Sequence, residues 1–167
     1  MFTFLAGRSA YTFSMKKIFL ATSFSGHLSE QTGEVAPVYR QSIEAILKAL
    51  RQQPDVEVFC APEDDGWKVP TDPPAISLTA DLARLDESDM LIALIQDKPS
   101  VGVQFEMGYA TAKGKQVVLA MAAGAELGSY NQGLVSAGLM TLVTYDTPAD
   151  LKTHLPIAVN EPEGPKL

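Results

Sequence analysis

Residues Met90–Ile95 read MLIALI, six apolar side chains in a row between Asp89 and Gln96. The run is too short for a buried helix. An extended chain turns successive side chains to opposite faces, so this strand must be covered on both sides, which is the signature of a parallel sheet. Four further short runs rich in β-formers, residues 18–23, 56–60, 116–121 and 140–145, punctuate the chain. Between them the apolar period changes to that of a helix. Residues 35–53 carry Val38, Ile43, Ile46, Leu47 and Leu50 at helical spacing, and residues 76–86 carry Leu78, Leu82 and Leu85 on one face. Residues 101–113 form a helix ended by Gly114, which suits the left-handed position after a helix, and residues 148–155 form a last one. Residues 63–74 (EDDGWKVPTDPP) read as loop, and residues 122–132 as loop with one helical turn. Strands alternating with helices predict a doubly wound α/β fold, flavodoxin- or Rossmann-like, with five parallel strands flanked by helices and right-handed crossovers.

Without internal repeats or a linker, residues 15–157 are expected to be one domain. Residues 1–14 show no period and read as an extension ahead of a functional start at Met15, and residues 158–167 as a tail that frays. The apolar stretch after Lys16 and Lys17 has only four residues, too few for a secretion signal. Thirteen Lys and Arg against 20 Asp and Glu leave a net charge of −7, without the basic face that a nucleic-acid polymer or an anionic membrane requires. One cysteine, Cys60, forbids an internal disulfide and fits a reducing, cytoplasmic setting. With only His27 and His154 beside it, no metal site and no cofactor is expected.

In doubly wound sheets, ligands bind beyond the carboxyl ends of the strands. That directs attention to residues 23–33, 61–74, 96–106 and 122–136. In the third of these, Ser100 follows Pro99 and opens a helix, a natural N-cap. Its hydroxyl, the free amides behind it and the positive end of the helix dipole make an anion site. Gly102 lets a ligand approach the backbone. Glu106 lies six residues on, roughly 9 Å of helix rise, and its side chain tilts back toward the cap. That separation matches the reach of a ribose 5′-phosphate from phosphate to anomeric carbon. Glu106 is also an odd residue for this helix, since Val103, Phe105, Met107 and Ala110 leave little polar surface for a carboxylate. A half-buried acid must be paired or have its pKa raised, and such acids mark functional sites.

The run Ser100-Val-Gly-Val-Gln-Phe-Glu-Met-Gly-Tyr-Ala110, with Gly114-Lys115 and a Val-Val-Leu strand behind it, resembles the nucleoside 2-deoxyribosyltransferase superfamily. The strand Lys17–Ala21 and the segment Asp81–Asp89 resemble it too, in the same order, so the likeness spans residues 17–146. It implies that Glu106 is the nucleophile at the anomeric carbon, forming a covalent glycosyl ester and releasing the base. It also implies that Asp81 contacts the base or protonates it as it leaves. Read without the likeness, Asp81 is one solvated charge among Asp86, Glu87 and Asp89.

The superfamily divides at the sugar's 5′ end. Transferases acting on free nucleosides carry an Asp six residues before the nucleophile, whereas Ser100 stands there in this chain, as in nucleoside 5′-monophosphate N-hydrolases. A hydroxyl at a helix N-terminus accepts a phosphate that a carboxylate would repel. The likeness therefore implies an N-glycosidase acting on a CMP-like or deoxynucleotide monophosphate. Ser136 is expected to reach the neighbouring subunit's site in a homodimer with shared sites. Asn131 keeps the transferase as an alternative, because transferases hold the 5′-hydroxyl with an Asn near this point; otherwise it is a turn former. A non-catalytic nucleotide-binding module is a second alternative. Phe19 stands where deoxynucleotide-specific relatives carry a Tyr, and either tolerates a ribose or simply packs the core. Phe24 matches CMP glycosidases, although Ser25 replaces an Arg they can carry. Trp67, in the loop 63–74 over the expected site, serves either to stack on a base or to pin the loop.

Overall fold

The computed structural model describes residues 15–96 and 100–155. The expected extension at 1–14, the expected tail at 158–167 and Pro99 lie outside the described residues. Five parallel strands, β1 (Lys16–Thr22), β2 (Val56–Phe59), β3 (Met90–Ile95), β4 (Gln116–Ala122) and β5 (Thr141–Tyr145), lie in the order β2-β1-β3-β4-β5. This is the doubly wound α/β sheet that the alternation predicts. The helices are α1 (Pro37–Arg51), α2 (Ala61–Asp64), α3 (Pro74–Glu87), α4 (Val101–Ala112), α5 (Ser129–Ser136) and α6 (Pro148–His154).

Strand pleating sorts the core into two layers. Ile18, Leu20, Ile92, Leu94, Val118 and Ala120 face α1 and α6, where Ile43, Ile46, Leu47, Leu50 and Leu151 meet them. Phe19, Ala21, Leu91, Ala93, Ile95, Val117 and Leu119 face the other way, against Leu85 of α3 and Val103, Met107 and Ala110 of α4. All six residues of β3 are buried, as a central strand covered on both faces requires. Each fully buried aliphatic side chain in these layers contributes about 1.5–3 kcal/mol.

Several element boundaries differ from the sequence reading, each for a physical reason. α1 begins at Pro37, whose ring is preset for the first helical turn, so Val35 belongs to the preceding loop and Val38 points outward, 80% exposed. Likewise α3 starts on Pro74, and Ile76 and Leu78 stand half exposed on its first turns; Leu85 is its fully buried apolar residue. Residues 61–64 make a helical turn, α2, with Pro62 in its first turn and buried. The segment 122–132 is less loop than expected. α5 runs on to Ser136, which places Asn131 inside a helix rather than in a turn. Gly114, at φ 70°, ends α4 in the left-handed conformation that its position predicts.

Candidate active site

The strand order reverses direction between β1 and β3, and at such a switch point the carboxyl ends of two neighbouring strands open a crevice. Thr22, the last residue of β1, pairs with Leu94 of β3, so Ser23 emerges level with Ile95, one position before Gln96. Ser100 caps α4 as expected: its Oγ accepts from the Val103 amide at 3.3 Å. The Ser100 amide itself donates to Ser23 Oγ, a contact that bridges the crevice. Ser23 is buried, and the sequence reading placed it in a candidate loop without singling it out. The amides of Val101 and Gly102, at the free end of α4, have no hydrogen-bond partner among the described residues. A Cβ on Gly102 would meet only Ser100 Oγ, at an ordinary 3.7 Å, and its φ is not left-handed. The chain's own packing does not demand glycine there, whereas a ligand against these amides would.

Beside this cap, a network of polar side chains lines the crevice on the α1 side. Thr22 Oγ1 and Tyr39 Oη are 2.7 Å apart, and Gln96 Nε2 donates to Ser42 Oγ at 3.2 Å. The Tyr39 ring stacks on His27 with centroids 3.6 Å apart. The Tyr145 hydroxyl lies against Gln96, which tempers the rise that burial imposes on it.

Glu106 projects from α4 toward α3. Burial above all, and then the negative charge of Asp81, push its carboxyl up to about 8. Asp81 on α3 is pushed up to about 6 by its own burial, and next by Asp65 and Asp64. Asp65 is itself raised by burial and by Asp64 and Asp72. Neither Glu106 nor Asp81 has a hydrogen bond or ion pair among the described residues. Two facing acids whose affinities are driven apart hold one proton between them over the interval separating their titrations. In the free protein Glu106, with the higher affinity, holds that proton and Asp81 is the anion; passage of the proton to Asp81 makes Glu106 the anion and Asp81 the acid. Among the described residues, no group of three His, Cys, Asp or Glu side chains is placed to hold a metal, and no helix is long and apolar enough to cross a membrane.

The remaining sequence candidates fall in different places. Phe19 is wholly buried, tilted against Phe59 with ring centroids 5.1 Å apart, so it packs the core beneath α3 and α4. Phe24 leans on the opposite, α1-side layer. Trp67 does not overhang the carboxylates, contrary to expectation. It is 6% exposed in the α1-side layer, in a left-handed conformation at φ 63°. Its carbonyl accepts from Val35 N at 2.9 Å, its amide donates to Pro62 O at 2.7 Å, and the Arg40 guanidinium lies 5.5 Å from its ring centre. Its indole pins the loop, because burying a large aromatic outweighs the strained backbone. A surface cavity of about 330 Å³ beside it is lined by Glu34, Arg40, Glu44 and Lys68, whose charges already pair with one another. Asn131 is 3% exposed with its Oδ1 unpartnered among the described residues, and Ser136 ends α5 on the surface.

The fold recurs in known proteins. A CMP N-glycosidase of Clostridium botulinum, BcmB, is 21% identical and superposes with a TM-score of 0.58 over 83% of this chain and 95% of its own. BlsM, solved in solution, is 24% identical with a TM-score of 0.69 over 85% and 88%. A 2-deoxyribosyltransferase of the psychrotolerant bacterium Bacillus psychrosaccharolyticus is 19% identical with a TM-score of 0.58 over 86% and 95%. No curated protein matches in sequence. The family Nucleoside 2-deoxyribosyltransferase, however, matches residues 36–141, well over half of the chain and inclusive of α3, β3 and α4. The chain therefore belongs to the nucleoside 2-deoxyribosyltransferase family.

Proposed function

We propose that this protein is an N-glycosidase that hydrolyses a nucleoside 5′-monophosphate, CMP-like or a deoxynucleotide, to free base and (deoxy)ribose 5-phosphate. The observation that carries the reading is Glu106, six residues along from the Ser100 cap of α4 and facing Asp81 of α3. Among the described residues neither carboxyl has a hydrogen-bond or ion-pair partner, and neither do the Val101 and Gly102 amides have one. The phosphate sits on the Ser100 hydroxyl and the Val101 and Gly102 amides, where the helix dipole favours an anion. In the free protein the pair's one proton rests mainly on Glu106, whose affinity is the higher. The reacting form is the one in which that proton has passed to Asp81, and a Glu106 carboxylate oxygen then bonds to the anomeric carbon as the carbon–nitrogen bond breaks. The electron pair leaves on the base, which takes the proton held by Asp81. Water then attacks the same carbon, the ester bond to Glu106 breaks, and the proton from water returns to Asp81. The sum is nucleotide plus water giving base plus sugar phosphate.

The BcmB relative bears the name of CMP N-glycosidase, which supports the hydrolase reading. A homodimer fits as well: α4 presents Val101, 87% exposed, and Phe105 to solvent on a face without charge, and Ser136 is exposed for a neighbour's site. A reducing, cytoplasmic setting suits the buried Cys60 thiol. The buried Asn131 Oδ1, unpartnered among the described residues, favours the second reading, base exchange on free deoxynucleosides.

Incubation with a panel of ribo- and deoxynucleotides, followed by mass spectrometry, tests the proposal. Base release from a monophosphate by the wild type, and none by Glu106→Ala, is expected. Reaction of free nucleosides only when an acceptor base is present would establish the transferase instead. Thermal stabilisation by monophosphates without any turnover would indicate a binding module.

A further inference from the structure

The two reacting carboxyls stand on separate helices, and neither is tied to the other by a hydrogen bond, so their spacing must be set elsewhere. α3 and α4 are joined near their C-terminal ends by a cluster of four side chains. Asp86 lies five residues after Asp81, and its carboxylate accepts from the Tyr109 hydroxyl at 3.1 and 3.0 Å, one distance to each oxygen. Lys113 Nζ pairs with the same carboxylate at 3.1 Å and lies 5.0 Å from the centre of the Tyr109 ring. Tyr109 itself lies three residues after Glu106, one turn along the same helix. Lys115 Nζ, just past the Gly114 stop, donates to the backbone carbonyls of Asp86 at 2.8 Å and Ser88 at 2.6 Å. Those carbonyls are among the ones that the end of α3 leaves free.

Exposed ion pairs are weak sources of stability, because water competes for both partners. What this cluster supplies is geometry. Tyr109 and Lys113, from successive turns of α4, converge on one carboxylate of α3, while Lys115 grips the backbone of the same turn. Sliding or rolling of one helix on the other would break these contacts together. We propose that Asp86, with Tyr109, Lys113 and Lys115, is a positioning cluster that sets the separation of Asp81 and Glu106. The inference builds on the reading of those two acids as the reacting pair, but its test does not need a substrate.

The charged group facing Glu106 is Asp81 of α3, and those facing Asp81 are Glu106, Asp65 and Asp64. Both causes that raise Glu106, burial and the Asp81 charge, depend on how closely α3 lies on α4. Carboxyl ¹³C NMR titration of the free protein therefore reads the cluster directly. In Tyr109→Phe, which deletes one hydroxyl and keeps the ring, and in Asp86→Asn, the Glu106 midpoint is expected to fall by about one pH unit toward its ordinary value. Lys115→Arg, which retains a donor for both carbonyls, should restore most of the midpoint that Lys115→Met loses. An unmoved Glu106 midpoint in Tyr109→Phe and Asp86→Asn, with only the melting temperature lowered, would overturn the proposal and leave the cluster merely structural. A moved midpoint in a protein that releases base from no nucleotide would uphold the cluster and sink only the hydrolase reading. Where nucleotide is turned over, kcat should fall about tenfold in these variants with KM nearly unchanged, since the phosphate end of the site is untouched.

Discussion

α1 and α4 cover opposite faces of the sheet and are built on opposite rules. α1 buries Ile43, Ile46, Leu47 and Leu50 and turns its charges outward, where Arg40 pairs with Glu44 at 2.7 Å and Arg51 with Glu63. α4 turns Val101 and Phe105 outward and points its one charged residue, Glu106, inward without a partner among the described residues. The first arrangement is what stability selects. The second costs stability, and the cost falls on the residues that surround the crevice. On the proposed function, the inward break serves a ligand and the outward one a neighbouring subunit.

The contrast can be broken most sharply at Glu106. Glu106→Gln keeps the shape and removes the nucleophile, so base release should fall by about 10³-fold or more. The same substitution should stabilise the protein, and the sign follows from linkage. A carboxyl raised from 4.5 to about 8 on folding contributes nothing unfavourable below its unfolded value. Above that value the unfolded state ionises while the folded state stays protonated, and stability drains away as pH rises toward 8. The gain from Glu106→Gln should therefore be absent at pH 4 and reach a few degrees of melting temperature at pH 8.5 by calorimetry. A destabilised Gln variant at pH 8.5 would mean that the carboxylate is held by contacts, as the charges of α1 are.

On α1 the opposite outcome is expected. Leu47→Ala should cost about 2–5 kcal/mol by denaturant unfolding and leave the kcat of the folded fraction unchanged, because it opens a cavity on the side of the sheet away from the carboxyls. Loss of kcat in step with stability would show the two layers to be coupled. The smallest effect is the pH profile. Rate should be greatest between about 6 and 8, where the acid pair carries one proton. It should decline by up to about tenfold per pH unit outside that window, below for want of an anion and above for want of an acid. A flat profile across pH 6 would remove Asp81 from the pair.

Much of this was readable in order of sequence. Met90–Ile95 could only be a central parallel strand, and Gly114 could only end a helix. Glu106 stood out because every neighbour on its helix is uncharged. What was left open or misread shares one cause. Trp67 was left open between stacking on a base and pinning its loop, because its loop leaves the correct end of the sheet but the face an aromatic takes is decided by which layer has room for it. Asp86 looked like one more solvated charge beside Asp81, and the difference between them lies in residues 23 to 29 positions away, Tyr109, Lys113 and Lys115.

Local period and composition by themselves determined the strands, the helices, the doubly wound sheet and the carboxylate that does not fit its helix, since each rests on side chains within one or two turns of one another. Tertiary structure alone decided that Ser23 meets Ser100 across 77 positions, that Asp81 rather than Asp86 is left unpaired in front of Glu106, and that Trp67 is a pin. Burial and charge, which set a carboxyl's affinity for its proton, are properties of the space around it, and that space is assembled from segments that the chain brings together only on folding.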